Sequence, residues 1–175
     1  MSILDTIKRR RSIRKYDKKK VPTETIKELI EAGIYAPTGS NIQPWYFIIV
    51  DDEKICNQIK AFSPGLLGGP PNLIVICSDR KKAYERGGAF GRDELSIIDV
   101  SMAAQNILLM ATEKGIATCT VKSYNKEAVK RILDLPDEIS VDLIISLGYS
   151  DQRPSTPPRR PVEEVTFINR WGEQK

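Results

Sequence analysis

Four short apolar runs, set between stretches of helical periodicity, predict an α+β or α/β domain built on one central sheet. The order along the chain is helix, helix, strand, helix, strand, helix, strand, helix, strand. No internal repeat or linker divides the 175 residues, so one domain over residues 1–175 is expected, long enough to bury a hydrophobic core. The glycines of "GGAFGR" at 87–92 do not fit G-x-G-x-x-G and follow a polar stretch, and no Walker loop is present. A dinucleotide-binding Rossmann site and a P-loop are therefore set aside.

Each element has its own signal. Ile3, Leu4 and Ile7 recur at helical spacing within residues 2–11. In "TETIKELIEAGIYAP" the residues Ile26, Leu29, Ile30 and Ile34 form one apolar face, Thr23 or Thr25 can cap the start, and Pro37 ends the helix. "WYFIIV" at 45–50 reads as a buried strand and "DEKICNQIKAF" as a helix after it. "NLIVICS" at 72–78 is the second strand, followed by "DRKKAYERGGAFGRDE", which reads as a polar, glycine-punctuated connection. The longest helical pattern runs from Asp93 to Lys114, apolar on more than one face, and stops at Gly115. "IATCTV", "NKEAVKRIL" and "ISVDLIISLGY" give a third strand, a helix and a fourth strand. The end, from about residue 150 to 175, is rich in Pro and Arg and then apolar again at Val165, Phe167, Ile168 and Trp171. Such an arm is expected to dock on something, a second subunit included.

Composition removes whole classes of function. With 41% hydrophobic and 29% charged residues the chain suits a soluble globular protein and is too apolar for disorder. No secretory signal and no run of about 18 apolar residues is visible, so a cytoplasmic protein without a membrane span is expected. Cys56, Cys77 and Cys119 are far apart and lack zinc spacing, and two lie in apolar runs that suit inert core. There is no histidine. That removes Ser-His-Asp and Cys-His catalysis, His-ligated metals and the commonest general base near neutral pH; no metal site is expected, and an enzyme of this composition would draw its chemistry from a bound cofactor rather than from a catalytic side chain.

Three stretches carry candidate chemistry. "KRRRSIRKYDKKK" at 8–20 holds nine basic residues and one acid in a chain of net charge +4. Arg10, Arg11, Ser12 and Arg14 fall where a helix breaks into extended chain; guanidinium forks match phosphate oxygens, and a hydroxyl with backbone N–H groups can complete the cradle. The plain alternative is an exposed basic patch, which is also the reading for Lys18, Lys19 and Lys20. A nucleic-acid arm lacks a second basic face or an exposed aromatic array. "APTGSNIQPW" at 36–45 packs Thr38, Gly39, Ser40, Asn41 and Gln43 between a helix and a strand. Coplanar amide donors and acceptors suit the edge of a flat heteroaromatic ring, and Gly39 permits close approach; a polar turn is the alternative. In "PPRRPVEEV" prolines hold Arg159 and Arg160 in extended chain, where a solvated linker is the alternative.

Taken together, "RRSIRKY", "APTGSNIQPWYFIIV", the Ala-rich helix ending "KGIATCTV" and "LGY…PRRPVEEVTFINRW" resemble the nitroreductase family of FMN flavoproteins, in the same order and over almost the whole chain. The resemblance implies an α+β three-layer sandwich with a central, mostly antiparallel sheet flanked by helices, and a C-terminal extension crossing to the partner of a homodimer. It implies two FMN molecules in the dimer interface. Arg10, Arg11, Ser12 and Arg14 would hold the phosphate, ribityl and ring edge on one subunit. Pro37, Thr38, Gly39, Ser40, Asn41 and Gln43 would approach the ring from the other, Ala117 and Thr118 would contact it, and Arg159 or Arg160 would return to the phosphate. It further implies ping-pong reduction of a small nitroaromatic or quinone-like acceptor by NAD(P)H. The alternatives are another redox task on the same flavin scaffold (specialised dehydrogenation, flavin reduction or flavin fragmentation) and, more distantly, a basic module for nucleic acid or an anionic surface. The chain is short for the family, and the 80–92 connection stands where longer members carry substrate-covering helices.

Overall fold

A computed structural model describes residues 2–172 of the chain. Its centre is a four-stranded, wholly antiparallel sheet of β1 (Trp45–Val50), β2 (Asn72–Asp79), β3 (Ala117–Val121) and β4 (Ile139–Gly148), ordered β1-β2-β4-β3. On one face lie α2 (Thr23–Ile34) and α5 (Ser96–Glu113), whose Ile26, Leu29, Ala104 and Ile107 pack with Ile74, Ile76, Ile145 and Leu147 of the two central strands. On the other face lie α3 (Glu53–Ala61) and α6 (Lys126–Ile132), where Ile59 and Val129 meet Leu73, Val75, Cys77 and Ile144. The expected three-layer α+β sandwich is therefore present. Because both faces of β2 and β4 are covered, these strands read as continuous apolar runs rather than alternating ones.

Helix starts follow local chemistry. Ser2 and Asp5 form a reciprocal capping box on α1 (Ile3–Arg9), Asp52 caps α3, and Asn125 caps α6. The expected threonine cap of α2 is not found. Pro22 holds the cap position without a side-chain bond, and the Thr23 hydroxyl donates to Asp51 Oδ2 instead (3.3 Å). Gly115, at φ +70°, ends the long helix as expected.

The largest departure is the 80–92 connection, which is not a loop. Asp79 caps α4 (Arg80–Phe90), a wide helical turn follows at Gly91–Leu95, and α5 continues from it. The chain doubles back inside α4 at Gly88, at φ 60° and ψ −155°. That conformation is essentially restricted to glycine. Only Ala83 of α4 is buried, so no apolar face announced the helix in the sequence. The helical run Arg80–Glu113 is long and apolar enough to cross a membrane by length and composition, but 44% of its apolar window is buried inside the protein.

A β-bulge lies between Ile76 and Cys77, where Leu143 and Val141 are the partners on β4. Asp142 is the extra residue, and the bulge turns its side chain out of the strand's alternation. Its carboxylate accepts from the Ser78 and Ser140 hydroxyls and from Arg80 Nη2. Arg80 Nη1 also donates to Ser96 Oγ and to the Arg92 carbonyl. This buried pair fixes α4, the wide turn and the start of α5 to the sheet.

Candidate functional site

The arginine cluster sits at the β3 edge of the sheet. Ser12 bridges Thr118 in parallel, and Ile13 N–H donates to the Thr118 carbonyl (2.9 Å). The chain is locked there by Tyr16, whose hydroxyl donates to the Ile13 carbonyl (2.6 Å) and pairs with Ser146 Oγ (2.8 Å). Burial pushes that phenol well above the ordinary tyrosine range. On this mounting, the Arg10 and Arg14 guanidiniums and the Ser12 hydroxyl have no hydrogen-bond or ion-pair partner among the described residues. Arg11 differs: its Nη1 donates to the Lys8 and Arg10 carbonyls (2.6 and 2.8 Å), its Nη2 donates to Thr156 Oγ1 of the C-terminal arm, and its Nε is buried without an acceptor. Thr118 is buried and Ala117 half-buried, so Ala117 offers the more accessible surface.

The second cluster is built on strained backbone. A short turn at Gly39–Asn41 is closed by Asn41 and Ile42 N–H donating to the Thr38 and Gly39 carbonyls. Ser40, Asn41 and Gln43 have φ of 49°, 53° and 51°. Left-handed backbone at a residue with a Cβ costs on the order of 1–2 kcal/mol, so three such residues in one turn need outside support. Gln43 N–H donates to Thr38 Oγ1 (3.3 Å), and its amide donates to Asn41 Oδ1 (2.8 Å). Lys82 Nζ reaches the Gln43 carbonyl (3.1 Å), and Gly39 N–H donates to Asp99 Oδ1 (3.1 Å). A side chain at Gly39 would meet Leu95 Cδ1 at 2.8 Å. Ser40, Asn41, Gln43 and Pro37 face outward, while Trp45 is half-buried against the core with its indole N–H buried and unpartnered.

Within one chain these clusters do not meet. The turn joins the sheet where Trp45 pairs with Ser78 and Ser78 with Ser140, whereas Ser12 joins where Thr118 pairs with Leu147. Those β4 positions are seven residues apart, roughly 20 Å at ~3.3 Å per residue. Arg159 and Arg160 stay on the arm: Arg159 donates to the Pro157 and Pro158 carbonyls, and Arg160 pairs with Glu164 (3.2 Å).

A profile of the nitroreductase family matches residues 7–66 and 58–149. The chain belongs to the nitroreductase family. The crystal structure of a nitroreductase family protein from Clostridium difficile 630 is similar at 28% identity, covering 97% of this chain and 99% of that one, with a TM-score of 0.85. The NADPH:FMN oxidoreductase of Vibrio harveyi, complexed with NAD+, is similar at 25% identity and a TM-score of 0.86, covering 99% of this chain and 79% of that one. An iodotyrosine deiodinase of Thermotoga neapolitana is 25% identical over 91% of this chain and 95% of its own length.

Three features of this nitroreductase-family chain were missed in the sequence. Arg9, bound to Glu113 (3.2 Å), and Arg153 line a 420 Å³ cleft with Arg11, Ile13 and Ala117. Arg9 belongs to the same basic run, but Arg153 carried no motif. Asp99 looked like one acid among many in a helix. Two of the three lysines at 18–20 have contacts: Lys20 Nζ donates to the Asp51 carbonyl (2.6 Å), and Lys19 lies over the Tyr149 ring at 5.0 Å. The three cysteines are free and buried, with the Cys56 and Cys77 thiols pushed up to about 11 and about 12 by burial, which suits inert core.

Proposed function

We propose that this chain is an FMN-dependent oxidoreductase that takes reducing equivalents from NAD(P)H and works as a homodimer, each flavin shared between two chains. The observation that carries the proposal is the separation of two donor-rich clusters to opposite ends of one sheet, each with polar groups left unpartnered. A two-fold operation can set the arginine cluster of one chain against the turn of its partner. Apolar groups that a single chain leaves in water support the same reading: Ile3 and Leu4 on α1, Ile97, Ile98 and Met102 on α5, and Val162, Ile168 and Trp171 on the arm.

The residues fit the cofactor. Arg10, Arg14 and the Ser12 hydroxyl are free to hold a phosphate, and Arg11, through its buried Nε and its bond to Thr156, orients that end of the pocket. Pro37, Thr38, Gly39, Ser40, Asn41 and Gln43 would present backbone and amide groups to the ring edge from the partner, with Ala117 and Thr118 beneath it, and Arg159 or Arg160 would close on the phosphate across the interface. FMN would supply the redox step itself, passing a hydride equivalent from NAD(P)H to a small nitroaromatic or quinone-like acceptor in two half-reactions. The chain's own contribution is orientation, exclusion of water and fixed charge, a division of labour that requires no histidine.

The purified full-length protein should be yellow, release FMN on denaturation, and bleach anaerobically with NADH or NADPH. A colourless protein that stays apo in excess FMN overturns the proposal. A second reading, a flavin protein with another redox task, draws on the likeness to the deiodinase; it predicts a yellow protein whose flavin neither nicotinamide bleaches.

A further inference from the structure

The turn at 38–43 is the most strained backbone beside any candidate site, and few bonds tie it to the rest of the molecule. Most of its hydrogen bonds are internal, between Thr38, Gly39, Asn41, Ile42 and Gln43. Lys82 holds the Gln43 carbonyl from an exposed position, and Asp79 N–H holds the Pro44 carbonyl just beyond the turn (2.8 Å). The remaining tie comes from below. Asp99, on α5, is 2% exposed, its Oδ1 accepts from Gly39 N–H, and its Oδ2 is buried with no partner. A buried carboxylate with one oxygen unsatisfied is expensive, and an apolar side chain of similar volume would suit the helix better. Leu95, one turn earlier, already packs on the same glycine.

We propose that Asp99 is a positioning residue for the flavin site: it anchors Gly39 N–H and thereby holds Ser40, Asn41 and Gln43 in the left-handed path that presents their polar groups. This inference rests on the proposed function for the identity of the ligand, but the anchoring itself does not. Burial drives the Asp99 carboxyl above the ordinary carboxylate range, and the Gly39 N–H acts in the opposite direction and more weakly. Gly39 N–H is the group that bears on this carboxyl besides its burial, and no charged side chain contributes to the shift. The cost of the buried acid is thus not offset by an ion pair. Its one side-chain hydrogen bond among the described residues goes to the turn.

The test uses the full-length chain and two substitutions. Asp99→Leu keeps volume and removes the acceptor; Asp99→Asn keeps an acceptor oxygen for Gly39. Amide hydrogen exchange of the flavin-free protein over residues 36–43, FMN affinity by fluorescence quenching, and thermal midpoint are measured for each. Expected for Asp99→Leu is exchange about tenfold faster at 36–43 and FMN affinity about tenfold weaker, with no fall in thermal midpoint. Expected for Asp99→Asn is restoration of both to within about threefold of wild type. Unchanged exchange at 36–43 in Asp99→Leu, an equal defect in Asp99→Asn, or faster exchange spread over the whole chain with a lower midpoint overturns the inference. A wild-type protein that binds no FMN defeats the proposed function, yet the exchange data still decide whether Asp99 anchors the turn.

Discussion

The proposed flavin site puts most weight on Arg10 and Arg14, whose guanidiniums have no partner among the described residues and sit on backbone held by the Ile13–Thr118 bond. Arg10→Ala and Arg14→Ala should each weaken FMN binding by about 1.5–3 kcal/mol, the value of a charge-assisted hydrogen bond. Fluorescence titration checks this, and unchanged affinity in both variants moves the phosphate elsewhere. Asp99 gives a prediction of a different kind. Its folded pKa is raised above its unfolded value, so the stability linked to its protonation is fully present below that unfolded value. That stability is lost as pH rises through the folded pKa. Asp99→Asn should therefore unfold at a higher temperature than wild type near pH 7.5, and the gap should close on acidification through the carboxylate range. A gap that widens in acid contradicts the assignment. The run of guanidiniums at a helix break is visible in the sequence, although the sequence alone fits an exposed basic patch as well as a phosphate site. Asp99 was not legible there: its importance lies in a bond to a glycine 60 positions away, and a single acid in a helix has no local mark.

Elements with strong periodicity, such as α2 and α5, and the doubly covered strands β2 and β4 were legible within a few residues. α4 was not, because its helicity comes from outside the helix, through the Asp79 cap and the Arg80–Asp142 pair that spans 62 positions. Three glycines in an otherwise polar stretch argued for a loop. They permit the reversal instead, so the helical segment folds back beside the 38–43 turn, where Ile42 lies against Gly87 and Gly91. Gly88→Ala meets no atom within 4 Å, so its effect isolates the backbone cost: a loss of about 1–3 kcal/mol in urea denaturation. An unaltered midpoint would mean that the chain does not reverse there. Removing the cation of the buried pair is the harsher change. Arg80→Met should destabilise by about 3 kcal/mol, since Asp142 would remain buried without its counter-charge.

At the scale of the whole molecule, the antiparallel order β1-β2-β4-β3 separates the two polar clusters, and that separation could not be read from the sequence. Strand order and direction are set by long-range pairing, whereas the motifs lie only about 25 residues apart in the chain. The arm is exposed along nearly its whole length and carries a Phe167–Trp171 pair, and in the proposed homodimer it would lie on the other chain. Co-expression of two differently tagged variants, Arg10→Ala/Arg14→Ala and Asn41→Ala/Gln43→Ala, tests the shared site most directly. Neither homodimer should retain FMN, whereas the purified heterodimer should carry one FMN per two chains, because one of its two sites is assembled from undamaged halves. A heterodimer as empty as its parents would show that both clusters act within one chain, and would contradict a site divided between subunits.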